Sequence, residues 1–433
     1  MMKIAEKIMM IRKANGVTQA ELAEVTLSSP SRISLIERGE SEYTPGELKA
    51  IMQHFDIVDM PLTPMDCLAF KKRLYMWRDF IRDRRLEKAL QWKEEIKSIV
   101  NLEPCDSDLP NLYRLFEALI PMFEGDLETA EQKLDELGRI LNMDNIEHNY
   151  YYYYNRGLLH SFKSDYVESL NYHKKAYALI EGNKDFTPDD EGGLYYNIAS
   201  CYSNLELPYH AILTILEMPK DYTQKRPERL NFFLNNALGG NYVNIGRYEK
   251  ALGILEANLL LAKSLNNKHF VGITLFNLGI LYKRTEKWDM AMDYFDEAME
   301  TFDEPNEGHM WACYNKIHCV IGMKKFPEAG KMIETAAKRY ADDKMAAVVF
   351  DSLLHYLSIS RRMKSHYDYN KESAEFIEQT AIPFFEGIHA NFEVLEYCTL
   401  LEQYYKDKTN RKFLAASKLK SDIYSKMLFF GDM

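Results

Sequence analysis

Asparagines recur along the middle of this chain at corresponding positions of a repeated pattern. They are Asn155, Asn197, Asn277 and Asn315, with Asn236 standing one residue before the corresponding Ala237. A carboxamide donates and accepts hydrogen bonds at once, so a row of them can bind the main chain of an extended peptide without reading its side chains. The alternative is that asparagine is only the consensus residue of the repeat. We favour the binding interpretation.

Further polar and aromatic residues accompany the asparagines. About two helical turns further along stand Asn204, Asn244, Lys283 and Arg284. The two cations have the chemistry to hold a peptide's C-terminal carboxylate. Four aromatic residues directly precede asparagine positions: Tyr154, Tyr196, Phe276 and Tyr314. They fit either the walls of side-chain pockets or packing between repeats, and we favour packing.

Signatures of catalysis are missing from the sequence. It contains no phosphate-binding loop, no HExxH or GxSxG motif and no paired Cys-x-x-Cys. Cys313, His318 and Cys319 are close, but at their spacing on a helix they do not converge on one metal ion. We therefore predict that the protein is not an enzyme and that it needs neither a cofactor nor a metal.

The composition indicates an acidic, mid-sized globular chain. It has a formal charge of −11 and 46% hydrophobic residues. Its length of 433 residues is enough for two to four domains. No apolar run is long enough to span a bilayer, and charges interrupt the N-terminus too often for a signal peptide. The six cysteines have no regular spacing. We therefore expect a cytoplasmic protein that has no association with membranes.

The first sixty residues predict four short helices. Asn15-Gly16 is a typical helix end, and Thr18 with Glu21 forms a capping box at the start of a second helix. Ser29 caps a third helix that begins with Pro30. Another capping sequence, Thr44-Pro45-Gly46-Glu47, starts the fourth.

This stretch resembles the helix-turn-helix of phage-repressor (Xre-type) domains. The resemblance rests on Arg12, Thr18-Gln19-Ala20-Glu21-Leu22-Ala23, Ser29, Ile33-Ser34 and Ile36-Glu37-Arg38-Gly39. It departs from the family at Leu27, where glycine is usual. The resemblance implies a DNA-binding domain over residues 1–60, whose third helix enters the major groove.

The same resemblance assigns DNA contacts to particular residues. Ser29 caps the reading helix, and the base-reading positions are Pro30, Ser31, Arg32 and Leu35. Gln19 and Arg38 fall where the family contacts phosphates. Residues 1–58 carry seven Lys/Arg and eight Asp/Glu. A single helix-turn-helix domain, called the head below, therefore has little positive charge with which to neutralise phosphates. A protein-docking module of the same shape is the alternative.

Residues 61–75 are predicted to be a linker or connecting helix. The segment 59–97 carries ten Lys/Arg and seven Asp/Glu, with clusters at Lys71-Lys72-Arg73 and Arg82-Asp83-Arg84-Arg85. Most charge runs are solvated helix faces, and this is the favoured interpretation. The alternative is that the segment adds contacts to the DNA backbone.

Residues 76–433 are dominated by an internal repeat. Seven units recur at periods of 38 to 42 residues, each with a small residue before a polar turn and an aromatic residue or leucine after it. This pattern resembles the tetratricopeptide repeat, with degenerate helices over 345–430. The predicted fold class is therefore all-α: an N-terminal helix-turn-helix domain followed by a tetratricopeptide-type right-handed α-solenoid. In that family the first helix of each pair lines the concave surface, and the asparagine positions point into it.

The combination resembles the peptide-pheromone receptors of the Rgg/Rap/NprR/PlcR/PrgX group, and by length its NprR-like branch. The resemblance implies a homodimeric transcription regulator that binds double-stranded DNA at a palindromic operator and a short signalling peptide in the groove. Activation and repression both stay open. Two alternatives remain: a Rap-like protein that docks on a response regulator, and a scaffold that binds another protein.

Overall fold

The chain is helical throughout the part that a computed structural model describes. The described residues are 4–55, 64–82, 85–99, 109–142, 144–180, 186, 188–218, 227–302, 306–362, 370–406 and 410–427. All regular elements in these ranges are helices, which confirms the all-α class. The chain divides into two compact units, residues 1–163 and 164–433, and each is described by itself.

The first unit contains ten helices within the described ranges. They are α1 (Ile4–Ala14), α2 (Gln19–Val25), α3 (Pro30–Glu37), α4 (Pro45–His54), α5 (Pro64–Arg82), α6 (Leu86–Ile99), α7 (Leu109–Glu117), α8 (Leu119–Glu124), α9 (Leu127–Ile140) and α10 (Ile146–Phe162).

Helices α1 to α4 pack around a small apolar core of their own. Its fully buried members include Leu22, Ile33, Ile36 and Ile51. The capping box at Thr18 is present, because the Thr18 hydroxyl accepts from the Glu21 backbone N–H and the Glu21 carboxylate accepts from that of Thr18. A second capping box joins Thr44 and Glu47. The four predicted helices and their start signals are confirmed.

Helix α5 is continuous across the predicted linker boundary at residues 75 and 76. Trp77, on the far side of that boundary, is fully buried and donates its indole N–H to the Ala89 carbonyl at 2.8 Å. The predicted joins at 60/61 and the first linker residues, 61–63, lie outside the described residues, as do Asp83 and Arg84. The domain boundaries at 60, 61, 75 and 76 stay predictions.

The second unit is a stack of helix pairs that ends in shorter and less regular helices. Its helices are α11 (Tyr166–Ile180), α12 (Pro188–Asn204), α13 (Pro208–Leu216), α14 (Glu228–Asn244), α15 (Tyr248–Ser264), α16 (Lys268–Arg284), α17 (Trp288–Thr301), α18 (Glu307–Gly322), α19 (Phe326–Arg339), α20 (Lys344–Arg362), α21 (Lys371–Phe376), α22 (Ile382–Gly387), α23 (Asn391–Tyr405) and α24 (Asn410–Met427). A π-helical turn, Ile377–Ala381, joins α21 to α22.

The repeat pattern corresponds directly to these pairs. The aromatic residue that follows each polar turn begins the second helix at Tyr248, Trp288 and Phe326. The small residues let paired helices approach closely: a Cβ at Gly279 would lie 2.6 Å from the Phe295 ring, inside van der Waals contact. Within this unit, successive first helices (α12, α14, α16, α18 and α20) contact one another, so they form one continuous surface.

Candidate functional site: a helix-turn-helix surface and an amide-lined cavity

Helix α3 and its two capping residues present most of the predicted DNA contacts at the surface of the first unit. Ser29, Pro30, Ser31, Leu35 and Arg38 are all exposed. The Ser29 hydroxyl accepts from the Arg32 backbone N–H at 3.2 Å, which fixes the start of the helix. These positions are therefore accessible to a ligand.

Arg32, which has the best chemistry for guanine among the predicted base-reading residues, is bound to its own domain. Its Nε and Nη2 donate to the two carboxylate oxygens of Glu47 at 2.6 and 2.9 Å, and Nη2 also donates to the Glu42 carbonyl at 3.1 Å. The bond from Arg32 lowers the pKa of Glu47 to about 2. Arg32 thus ties α3 to α4, and a base contact requires it to leave Glu47.

Gln19 is also engaged within the domain. Its amide donates to Glu37 Oε2 at 2.7 Å, beside Arg12, which forms a two-bond ion pair with the same carboxylate at 2.7 and 2.8 Å. Arg12 marks the resemblance to the family in the sequence, but its partner became visible only in the structure. The roles of Gln19 and the other head residues in DNA binding stay predictions.

In the second unit, three of the predicted asparagines meet at one cavity of about 230 Å³. They are Asn236 and Asn244 on α14 and Asn277 on α16, and Asn277 donates to Asn236 Oδ1 at 3.0 Å. The remaining lining residues come from the same face of α12 and α14: Tyr196, Ser200, Ser203, Phe233, Ala237, Gly240 and Asn241. Three successive first helices thus surround a cavity that is rich in amide and hydroxyl groups.

Asn241 is a cavity residue that the sequence analysis missed. Its Nδ2 donates to Ser203 Oγ and to the Ala237 carbonyl, both at 2.7 Å, and its Oδ1 is buried without a hydrogen-bond partner among the described residues. The residues at 237, 240, 241 and 244 share one face of α14, and this helical spacing was the available signal. Tyr196 and Phe233 form an aromatic wall, with ring centroids 5.2 Å apart.

Asn197 and Asn204 do not line this cavity. Asn197, on α12, is half-buried, and its Nδ2 has no partner among the described residues. Asn204 donates back to the Ser200 carbonyl at 2.8 Å, one turn earlier in its own helix. Asn197 therefore keeps free hydrogen-bonding capacity, whereas the Asn204 amide donor is already used.

Three further predicted residues are buried, contrary to the expectation of an open surface. Asn155, in the first unit, is 1% exposed and donates to the Leu115 carbonyl at 2.7 Å. Asn315 is 2% exposed and accepts from Lys283 Nζ at 2.9 Å. Lys283 turns inward because Asn315 and Glu396 both accept from its ammonium group. In this conformation the three side chains are bound within the protein interior. Peptide contacts of Asn155, Asn315 and Lys283 stay predictions.

Lys283 and Arg284 share a partner from the C-terminal helices. Glu396 Oε1, on α23, lies 3.2 Å from Lys283 Nζ and 3.4 Å from Arg284 Nη1. Glu396 lies more than a hundred residues beyond them, where the repeat signature has faded, so no sequence spacing pointed to this contact. The aromatic positions differ likewise, because Tyr314 is fully buried while Tyr196 borders the cavity.

Metal sites and membrane-spanning helices are both absent from the described ranges. No group of three or more His, Cys, Asp or Glu side chains there could hold a metal ion. No helix in those ranges is long and apolar enough to cross a bilayer.

Known families and proteins match both units. A helix-turn-helix family model matches residues 8–61, and a tetratricopeptide-repeat model matches residues 232–304. The chain is 23% identical over 398 residues to the transcriptional activator NprA of Geobacillus stearothermophilus, covering 90% of this chain and 95% of that protein. It is 25% identical over 293 residues to response regulator aspartate phosphatase A of Bacillus subtilis (strain 168), covering 62% and 74%.

The solved structures extend this likeness to the fold. The chain superposes on the crystal structure of NprR in complex with its cognate peptide NprX with a TM-score of 0.61. The two share 21% identity, and the match covers 82% of this chain and 99% of the other.

Proposed function

We propose, on the premise that the chain is a helix-turn-helix and tetratricopeptide-repeat protein homologous to the NprR and Rap proteins, that it is a peptide-responsive transcription regulator. The observation that carries the proposal is the cavity formed by Asn236, Asn241, Asn244 and Asn277. Its partners are a short signalling peptide and operator DNA. The site of action is the cytoplasm, where both meet.

The cavity suits a peptide main chain. Carboxamides on successive helices can donate to peptide carbonyls and accept from peptide N–H groups, which gives affinity without a requirement for one side chain. Tyr196 and Phe233 add an apolar wall against which a side chain can rest. Asn277 and Asn236 now bond to each other, so a peptide exchanges this bond for two of its own.

The first prediction concerns Asn277→Ala. This change removes the donor to Asn236 and one amide of the cavity, so we expect peptide affinity to fall about tenfold, with DNA binding in the absence of peptide unchanged. Isothermal titration with synthetic candidate peptides, taken from small reading frames found beside the gene, measures the affinity. Asn171→Ala is the matched control, because Asn171 on α11 bonds only to the nearby Glu168 among the described contacts. Equal peptide affinities in the two variants would contradict peptide binding by the amides of the cavity.

The DNA-binding part of the proposal is a homodimer on a palindromic operator. Two heads spaced about one turn of DNA apart would each place α3 in a major groove. A peptide that binds one arrangement of the dimer better than another shifts the population between them. Gel shift combined with mass measurement on the protein's own upstream DNA, with and without peptide, tests the dimer and its response.

A second candidate function is docking on a response regulator. The observation that favours it is the similarity to response regulator aspartate phosphatase A over 62% of this chain. We propose a binding role rather than an enzymatic one. Capture of phosphorylated response regulators, followed by a measurement of phosphate release, separates this role from DNA regulation. Capture of a different protein would instead indicate a scaffold.

A further inference from the structure

A cluster of charge, in which Lys283 and His318 are buried and Arg284 and Glu396 are partly exposed, lies in the second unit where α16 and α18 meet the start of α23. Glu396 is its centre. Besides the contacts to Lys283 and Arg284, its Oε2 lies 3.0 Å from His318 Nε2. Three basic side chains from two helices therefore converge on one carboxylate.

Lys283 and Arg284 each have a further partner besides Glu396. Asn315 accepts from Lys283 Nζ at 2.9 Å, and the Arg284 guanidinium lies 4.1 Å from the centre of the Phe392 ring. Such anchoring pre-organises the donors for a carboxylate, which can accept from several of them at once. Burial alone would raise the pKa of Glu396, but His318, Lys283 and Arg284 hold it well below its usual range.

The cluster requires an anion. The side chain of Lys283 is only 4% exposed, and a buried ammonium group that lacks a negative partner is strongly destabilising. Lys283 also lies on the same helix as Asn277, six residues further along, which is about 9 Å along the helix axis. A carboxylate is thus needed beside a helix that also lines the cavity, although Lys283 itself is not a lining residue.

We propose that Lys283, Arg284 and His318 form a carboxylate seat, which Glu396 fills in this structure and a ligand's free carboxylate fills in its place. The identity of that ligand as a peptide rests on the proposed function; the seat itself does not. Exchange would remove one of the contacts that hold the start of α23, where the Asn391 backbone N–H also donates to Glu206 at 2.8 Å. The seat would therefore favour ligands with a free C-terminus over amidated ones.

The test is chemical rescue of Glu396→Ala. This change leaves Lys283 buried without its carboxylate, and we expect the thermal midpoint to fall by about 5 °C. Acetate and N-acetylglycine, which carry a free carboxylate, should restore at least half of the loss in a saturable manner. Acetamide and N-acetylglycinamide at the same concentrations should restore none of it. The wild-type protein, whose seat is filled, should respond to none of the four.

Glu402→Ala supplies the matched control on the same helix. Glu402 pairs with Lys420 at 2.8 Å; it is about as exposed as Glu396, at 20% against 18%, but Lys420 is 24% exposed whereas Lys283 is 4% exposed. Since this pair has one cation and access to water, we expect little loss of stability and no rescue by acetate. Equal shifts in Glu402→Ala and Glu396→Ala, or no shift in the latter, would overturn the seat.

Glu396→Gln keeps the experiment decisive if the alanine variant does not fold. Glutamine preserves the shape of Glu396 and one acceptor oxygen but not the charge. Acetate and N-acetylglycine should therefore raise the thermal midpoint of this variant as well, but by less than in Glu396→Ala. No response to either carboxylate would refute the proposal. Because none of these probes is the signalling peptide, failure here leaves the Asn277→Ala test standing, and the reverse also holds.

Discussion

At the scale of single residues, Leu27 shows how the head departs from its family pattern. It lies in the turn between α2 and α3 with a φ of 50°, the left-handed region that favours glycine, and its side chain is 96% exposed. The turn is held by Thr26 Oγ1, which bonds to the Leu22 carbonyl and to Ser28 Oγ. This turn is therefore made with a residue that is unfavourable in its backbone conformation.

Leu27→Gly should stabilise the head. A left-handed conformation costs a residue with a Cβ about 1–2 kcal/mol, and part of this gain is offset by the greater freedom of glycine in the unfolded chain. We expect the free energy of opening of α2 and α3, measured by native-state hydrogen exchange, to rise by about 0.5–1 kcal/mol. Leu27→Ala is the control, since it removes the exposed side chain but keeps the Cβ. Equal effects of both changes would show that the backbone conformation is not the cause.

At the scale of helices, the sequence was most informative where the signal is local. Thr18 and Glu21 are three residues apart, and the aromatic residue after each polar turn lies within one repeat, so their positions in helices follow from short-range chemistry. Arg32 with Glu47, and Lys283 with Glu396, pair across different helices and have no spacing rule. Residues predicted to face a ligand were therefore found tied to partners within the protein.

The pair between α3 and α4 predicts an acid response. The pKa of Glu47 falls to about 2 in the folded head. The contribution of Glu47 to the stability of the head is therefore complete above the ordinary glutamate pKa of 4.5 and is lost as the pH falls toward 2. Glu47→Gln should reduce the protection of α4 amides several-fold at pH 6 and show a weaker loss between pH 4.5 and 2. Hydrogen exchange across that range measures both effects. Parallel pH profiles for the wild type and the variant would contradict the link.

At the scale of the whole molecule, charge is unevenly distributed. The chain carries a formal charge of −11, while the segment 59–97 is net positive. Within that segment, Lys71 lies 2.6 Å from Glu147, whereas Lys72 is exposed. If the segment touches the DNA backbone, Lys72, beside Lys71, is one of the exposed residues with charge available for it.

Lys72→Ala should then weaken binding to all DNA sequences alike. Loss of one phosphate contact per head lowers the slope of log K against log salt by about 1 for each contact, because fewer counterions are released. Lys71→Ala is the matched control and should change the slope less, since its charge is already paired. Salt titrations of operator and random DNA measure both. Unchanged slopes in both variants would favour a solvated helix face.

The contact between Asn391 and Glu206 also bears on how the protein is made. Helix pairs of a solenoid can form from neighbouring segments as they emerge from the ribosome, but this bond joins residues 185 positions apart. At translation rates of about 5–20 residues per second, the earlier partner waits roughly 10–40 s for the later one. During that interval, the nascent repeats stand without the C-terminal helix that later contacts them, so a polypeptide released before residue 391 would lack this contact permanently.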